Sequence, residues 1–348
     1  MTQKISKREL ASTYTVCIGG GTGVPSSIKA LASLGIYPDA VISVADDGGS
    51  SGLLRTHTGQ VPPGDLRKCL LALARDQQSP WVMAFRERFE YANDHALGNL
   101  ILTALQQTTG SLTESIELCE QLLDTCGHVY PASFTSVLLS GITLDGKRLE
   151  GQSTLCKSHT ALERVILEPH EPPANPAAIK AIENADLIVL GPGSLFTSII
   201  PNLLIPGIRD AIANSKAARV FICPIADVQG ETWGLDAAEL TEALLNHGLE
   251  GSLDYVIINR QEHKKESGNV TGYFSAIDSA TLTAAATAPQ KSPALRPVIA
   301  NDEVVSRIRA RGAKVLIRAL NAAQTPSWHD PKALAQALAS VIADSKRR

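Results

Sequence analysis

The sequence predicts a doubly wound α/β fold with a mainly parallel sheet, an added β-hairpin and helical insertions. Three observations carry this expectation. Short aliphatic runs alternate with segments of helical spacing along most of the chain, and two of those runs open into glycine turns that lead straight into helices. Apolar residues make up 44% of the 348, enough to bury both faces of a parallel sheet.

The first unit is a β-α-β start, which builds a right-handed parallel crossover. Thr15 to Ile18 reads as a short buried strand, Pro25 to Leu34 as a helix through Ile28, Leu31 and Leu34, and Ala40 to Ala45 as the second strand. A long polar loop is expected from Asp46 to Asp65, followed by helices over Leu66 to Ala74, Leu97 to Gln107 and Leu112 to Asp124. Phe134 to Thr143 and Arg148 to Gln152 form a hairpin across Asp145-Gly146, a dipeptide suited to a type I′ turn. The second half repeats the alternation. Helices are expected over Ile179 to Asn184, Ser194 to Asn214 with proline interruptions, and Ala237 to His247; strands over Leu187 to Leu190, Arg219 to Pro224 and Tyr255 to Asn259. Lys314 to Ala319 supplies a last strand and Pro331 to Ala343 a closing helix. One domain over 15–343 is expected, between tails at 1–14 and 344–348, with an insertion at about 260–300 whose Ser279 to Ser292 stretch is rich in Ala, Thr and Pro.

Charge and composition narrow the function. A net charge of −3 gives no general basic surface, and Lys264-Lys265 and Lys346-Arg347-Arg348 are only short clusters, so nucleic acid is not an expected partner. No apolar run reaches spanning length and the first residues are polar, which points to a cytoplasmic location. Cys17, Cys69, Cys119, Cys126, Cys156 and Cys223 show no metal-ligand spacing and read as small hydrophobes in a reducing compartment.

The motifs point to an anionic ligand. In the strand-turn-helix at Gly19 to Gly23, the amides of Gly20, Gly21, Thr22 and Gly23 and the helix N-terminus face a phosphate. Neither the G-x-G-x-x-G register nor the Walker lysine is present, which disfavours a dinucleotide dehydrogenase and a P-loop NTPase. Asp46 and Asp47 follow the second strand at the carboxyl edge of the sheet, where they can hold a ribose or a divalent ion, and Gly49, Ser50 and Ser51 add backbone donors and hydroxyls. Asp65 is placed to cap the next helix, and Arg67 in its first turn opposes the helix dipole unless it reaches an anion or Asp65. His95 and Asn99 lie one turn apart on one helix face. Gly191, Gly193 and Ser194, with Thr197 and Ser198 behind them, form a second strand-to-helix cradle, and two cradles suit a two-phosphate ligand across a switch point. Glu231 ends a loop on the same edge and can orient a sugar hydroxyl, whereas Asp330-Pro331 is explained by helix capping alone.

Six of these motifs, in order, carry a resemblance: Gly-Gly-Gly-Thr-Gly, Val-Ala-Asp-Asp-Gly-Gly-Ser-Ser-Gly, Pro-Pro-Gly-Asp-Leu-Arg, His-Ala-Leu-Gly-Asn-Leu, Leu-Gly-Pro-Gly-Ser-Leu-Phe-Thr-Ser-Ile-Ile-Pro-Asn and Gly-Glu-Thr. From about Val16 to Asn259, with His329-Asp330 beyond, the chain resembles the gluconeogenesis factor family (YvcK-type), relatives of 2-phospho-L-lactate transferase. The resemblance implies a Rossmann-like core, a homodimer in the bacterial cytoplasm, and a role in carbon metabolism and cell-wall or cell-shape maintenance through binding of UDP-sugars. The transferase relatives imply the other possibility, an enzyme with Mg²⁺ near acids matching Asp46, Asp47 and Asp65, in which Asp65, Arg67 and His95 are the candidate catalytic residues. Their aspartate pair is not followed by Gly-Gly-Ser-Ser-Gly, which sets this chain on the gluconeogenesis factor side. Pro224 to Gln229 and Trp328 depart from the family pattern, so base and sugar stay open.

Overall fold

The protein is represented by a computed structural model that describes residues 7–228, 230–260, 295–322, 325 and 327–347; most of the expected insertion lies outside them. Seven strands, all parallel, form the central sheet in the order Lys314–Arg318, Tyr255–Asn259, Ala218–Ile222, Leu187–Leu190, Thr15–Gly19, Asp39–Ile42, Val129–Pro131. Thr15–Gly19, Asp39–Ile42 and Leu187–Leu190 are buried at every residue, which is why they read as continuous runs rather than as alternating patterns. Helix Gly23–Ala32 packs against both Gly64–Leu73 and the closing helix Pro331–Ser345, and Pro176–Glu183 packs on Pro206–Asn214. The result is the expected α/β Rossmann-like architecture.

The order of strands fixes where a ligand can enter. From Thr15–Gly19 the chain first builds outward through Asp39–Ile42 and Val129–Pro131, then returns to the other side of the first strand and builds the opposite way. The reversal lies between Thr15–Gly19 and Leu187–Leu190, paired in register from Thr15 opposite Leu187 to Ile18 opposite Leu190. Both glycine turns therefore emerge side by side at the carboxyl ends of the two central strands.

Several expectations need correction. The expected polar loop at Asp46 to Asp65 contains a helix, Gly49–Thr58, closed by Gly59 in the left-handed region. Its Gly-Ser-Ser-Gly start has poor helix propensity, but Ser50, Ser51 and Gly52 are buried, and tertiary packing overrides the local preference. The second strand stops at Ile42 instead of reaching Ala45, and helix Lys7–Ala11 lies within the expected N-terminal tail. The hairpin Leu138–Thr143 with Arg148–Glu150 forms, but Leu162–Glu168 joins it to make a separate three-stranded antiparallel sheet. Its turn is not type I′: Gly146 has φ +81° while Asp145 stays at negative φ, and Gly146 N–H bonds to the Thr143 carbonyl, the pattern of a type I turn with a glycine bulge. Helices Pro80–Arg86 and Asp302–Ala310 were not foreseen. All six cysteines are free, with Cys17, Cys69, Cys119 and Cys223 buried as expected. Among the described residues no single helix is long and apolar enough to cross a membrane.

The switch point is held by a close backbone contact. A Cβ on Gly23 would lie 1.8 Å from the Pro192 carbonyl oxygen, so only glycine lets the two turns meet. Gly23→Ala should therefore destabilise the protein by about 3 kcal/mol, whereas Gly110→Ala, at a left-handed helix end with open space around it, should cost about 1 kcal/mol. Urea unfolding midpoints compare the two; equal losses would show that the turns do not pack in this way.

Candidate functional site

The two turns are stitched together by side chains as well as by contact. Asn202 Nδ2 donates to the Gly19 carbonyl (3.2 Å) and to the Ser198 carbonyl (2.9 Å), and Ser27 Oγ donates to the Gly191 carbonyl (2.7 Å). Gly20 packs against Asp65 and Ser198, and Thr22 stands exposed at the tip of the first turn. Asn202 and Ser27 were not among the candidates. Both are buried and polar, and an asparagine directly after a proline in an aliphatic run was the available signal for the first of them.

Asp65 does not cap its helix as expected. The N-cap is Pro63, and the Asp65 carboxylate reaches back to the glycine turn, accepting from Gly21 N–H at 2.6 Å through Oδ2 while Oδ1 pairs with Lys68 Nζ at 2.8 Å. Asp46 lies beside this pair and accepts from Gly48 N–H at 3.1 Å. Burial, with the Asp65 charge added, pushes the Asp46 carboxyl up to about 6, against the pull of Lys68, Gly48 and Ser51. Burial alone would depress the Lys68 ammonium, but Asp65 and Asp46 hold it above the ordinary lysine value.

The three acids do not assemble around a metal position. Asp47 turns away: Oδ1 accepts from Ser153 N–H (2.8 Å) and Oγ (2.7 Å), and Oδ2 from Gln152 N–H (2.7 Å), so that it anchors the short helix Gln152–Leu155. Asp65 has both oxygens committed, one of them to an ammonium. Among the described residues no group of three or more His, Cys, Asp or Glu is placed to hold a metal ion. A Mg²⁺ ion on Asp46, Asp47 and Asp65 does not fit these residues, because Lys68 already supplies the positive charge between two of them.

Four other candidates are brought together. Arg67 Nε donates to Asn99 Oδ1 (2.8 Å), Asn99 Nδ2 donates to Ser50 Oγ (2.9 Å), and Ser50 Oγ shares a hydrogen bond with His95 Nδ1 (2.8 Å). Glycine makes room for this chain and its surroundings at two points: a Cβ on Gly98 would lie 2.7 Å from Arg67 Cδ, and one on Gly64 would lie 2.1 Å from Oγ of Ser51, next to Ser50. His95 precedes helix Leu97–Thr109 in a short strand, so the shared helix face was the wrong geometry, although both residues reach Ser50. Arg67 is only 6% exposed and forms no ion pair among the described residues. Burial, followed by the neighbouring Arg88 charge, lowers its guanidinium to about 10, which marks a cation short of negative partners.

The second cradle already contains a carboxylate. Glu231 is buried, with the hydroxyls of Thr197 and Ser194 and the amides of Leu195 and Thr197 turned toward it at the start of the helical segment Leu195–Ile199. Burial outweighs those hydrogen bonds and pushes the group up to about 7, and its Oε2 has no hydrogen-bond partner among the described residues. Gly191 and Gly193 hold the turn at φ +86° and +135°. His329 lies outside this arrangement: its Nε2 is 3.3 Å from the Cys223 carbonyl, burial lowers it to about 4, and Asp330 caps the closing helix through Ala333 N–H as expected.

Comparison with known proteins gives the family and supports the fold. Residues 15–288 match the model of the family described as 2-phospho-L-lactate transferase CofD. The gluconeogenesis factor of Halalkalibacterium halodurans is 38% identical over 247 residues, covering 70% of this chain and 76% of the relative. That of Bacillus subtilis is 38% identical over 247 residues, covering 70% and 78%. A Nostoc sp. relative is 41% identical over 256 residues, and the match spans 56% of its length, so the chain covers little more than half of that protein. A crystal structure from Bacillus halodurans, a member of the UPF0052 family, superposes with a TM-score of 0.81 at 31% identity, covering 94% of this chain and 98% of that one.

The buried Glu231 gives a pH test. Its folded value of about 7 lies above the ordinary 4.5, so the folded chain retains the proton while the unfolded chain loses it. Stability from this group is complete below pH about 4.5 and is lost as pH rises to about 7. Glu231→Gln should raise the melting temperature by a few degrees at pH 8 and by almost nothing at pH 4, below the ordinary value, where the contribution is complete. A difference that is the same at both pH values would refute the buried, charge-strained carboxylate.

Proposed function

The chain belongs to the gluconeogenesis factor family and carries its CofD domain, and from that premise we propose that the switch-point crevice binds a nucleotide-sugar, with UDP-sugars the favoured class. The single observation that carries this reading is Arg67, a buried guanidinium without a carboxylate partner, held by Asn99 beside the glycine turn. A ligand phosphate supplies the missing negative charge in a charge-assisted, bidentate geometry. Thr22 and Ser194 are the exposed hydroxyls of the two turns, and Ser50 and His95 extend the polar wall from Asn99. Glu231, with one unpartnered oxygen, is suited to accept a sugar hydroxyl.

In this role the protein is a cytoplasmic sensor that couples nucleotide-sugar level to carbon metabolism and to cell-wall and cell-shape maintenance. Lys68, paired with Asp65, supplies positive charge beside the acids without a divalent ion, and the hydroxyl of the Ser50–His95 pair is also held by Asn99 as part of the polar wall, so the reading is binding without turnover and without Mg²⁺.

Calorimetry and thermal shift against UDP-glucose, UDP-N-acetylglucosamine, GDP and GTP, each with Mg²⁺ and with chelator, test this. A UDP-sugar at a hundredfold excess over its Kd should stabilise the protein by about 2.7 kcal/mol, equally with and without Mg²⁺, and Arg67→Gln should weaken binding by about tenfold or more. Strict Mg²⁺ dependence with release of a nucleoside monophosphate would instead establish a transferase of the 2-phospho-L-lactate type. No response to any of the four nucleotides would sink both readings.

A further inference from the structure

A groove of about 750 Å³ runs along helices Gly23–Ala32 and Gly64–Leu73, beginning at Thr22 and passing away from the crevice toward Cys126. Its volume is that of a small-molecule site. Its charge is one-sided: Lys29, Arg67, Lys68, Arg75 and Arg86 line it, and none of its lining residues is acidic. On a chain of net charge −3, five cations around one groove make a local field that the rest of the surface does not supply.

Partners within the protein neutralise only part of that field. Lys68 pairs with Asp65, and Arg75 with Asp124 in an exposed contact that is weakly held. Lys29, Arg67 and Arg86 form no ion pair among the described residues; Arg86 donates instead to the neutral Gln77 side chain at 2.6 Å. These three unpaired cations come from three separate segments, helices Gly23–Ala32, Gly64–Leu73 and Pro80–Arg86. A single phosphate cannot serve cations distributed along a groove, whereas a chain of phosphates can. The apolar side chains of Ile28 and Leu71 form its walls, and the partly exposed ring of Trp328 lines it as well.

We propose that this groove, which adjoins the switch-point crevice at Thr22 and Arg67 and extends from it past Lys29 to Arg86, binds a linear polyphosphate group. The group is either inorganic or the tail of a nucleoside triphosphate. The inference goes beyond the nucleotide-sugar reading; it shares Arg67 and Thr22 with that reading and is told apart from it by Lys29 and Arg86, which that reading does not use.

The test uses the full chain with sodium tripolyphosphate as probe, in calorimetry and thermal shift at low and high salt. Wild type should bind tripolyphosphate, more weakly as salt rises. The double variant Lys29→Glu with Arg86→Glu should lose about a hundredfold in affinity, roughly tenfold for each charge-assisted contact, while its thermal response to UDP-N-acetylglucosamine stays as in wild type. Lys180→Glu with Arg309→Glu, two exposed positions away from the groove that change the net charge equally, should stay within about twofold of wild type because distant surface charge is screened. ATP binding more tightly than tripolyphosphate, with fluorescence quenching lost in Trp328→Phe, identifies a nucleotide as the source; equal affinities identify the inorganic chain. Failure of wild type to bind tripolyphosphate, or equal losses in the two double variants, would overturn the proposal. Tripolyphosphate binding without any nucleotide-sugar response would leave the groove standing and remove the crevice reading; the reverse result would do the opposite.

Discussion

The carbonyl of Pro192 lies where any side chain on Gly23 would have to be, and much of the site's geometry follows from that contact. Because the two turns touch, the strands beneath them must be neighbours, and Thr15–Gly19 does pair directly with Leu187–Leu190 although some 170 residues separate them. Asn202 can then reach from the second half of the chain to the Gly19 carbonyl, and Ser27 from the first half to the Gly191 carbonyl. Ser27 supplies the donor for the Gly191 carbonyl, whereas the Gly19 carbonyl, which already accepts from Ser43 N–H, gains a second donor in Asn202. The crevice is thus rigid on its floor, and its chemistry is decided by what lines the rim.

On that rim the protein has placed internal anions against its own anion cradles. Asp65 accepts from the Gly21 amide, and Glu231 sits among the donors of Ser194, Leu195 and Thr197. An empty cradle would expose several convergent N–H groups to poor solvation, so a carboxylate on the spot lowers the energy of the ligand-free fold. The two carboxylates are not equivalent. Asp65 is neutralised by Lys68, whereas Glu231 has no cation within ion-pairing distance among the described residues and is held near neutrality, its value pushed up to about 7. The first is held in place by its ion pair with Lys68; the second is close to giving up its charge at physiological pH.

The fold was legible because its signal is periodic and local. Continuous aliphatic runs such as Leu187 to Leu190, each followed by a glycine turn, cannot be satisfied except in a sheet buried on both faces. Helix Gly49–Thr58 was hidden for the complementary reason: two glycines, two serines and two threonines argue for a loop, and only burial of Ser50 and Ser51 decides otherwise. Within the site, residue type foretold membership better than role. Arg67, Asn99, Ser50 and His95 do converge, but Asp65 was assigned to its own helix and serves the glycine turn 44 residues earlier. Asp47 was paired with Asp46 by adjacency, yet neighbours in a sharply turning segment point apart, and Asp47 reaches the backbone at Gln152 and Ser153. Spacing along the chain carries no information on such long-range partners.

The rim therefore divides into two electrostatic regions. Around Asp46, Asp65 and Lys68 the charges are internally compensated: two carboxylates share one ammonium, and the surplus negative charge is relieved by the rise of Asp46 toward about 6. Around Arg67 the compensation is missing. Its hydrogen bonds run to neutral acceptors, Asn99 Oδ1 and the Phe85 carbonyl, which orient the guanidinium without cancelling its charge. Burying an unpaired cation is unfavourable, and Asp65, two residues away on the same helix, does not face Arg67. The chain instead spends Asp65 on Gly21 and Lys68, and keeps Arg67 oriented and uncompensated. That arrangement costs stability in the free protein, and under the proposed function it is the bound ligand's phosphate that offsets the cost.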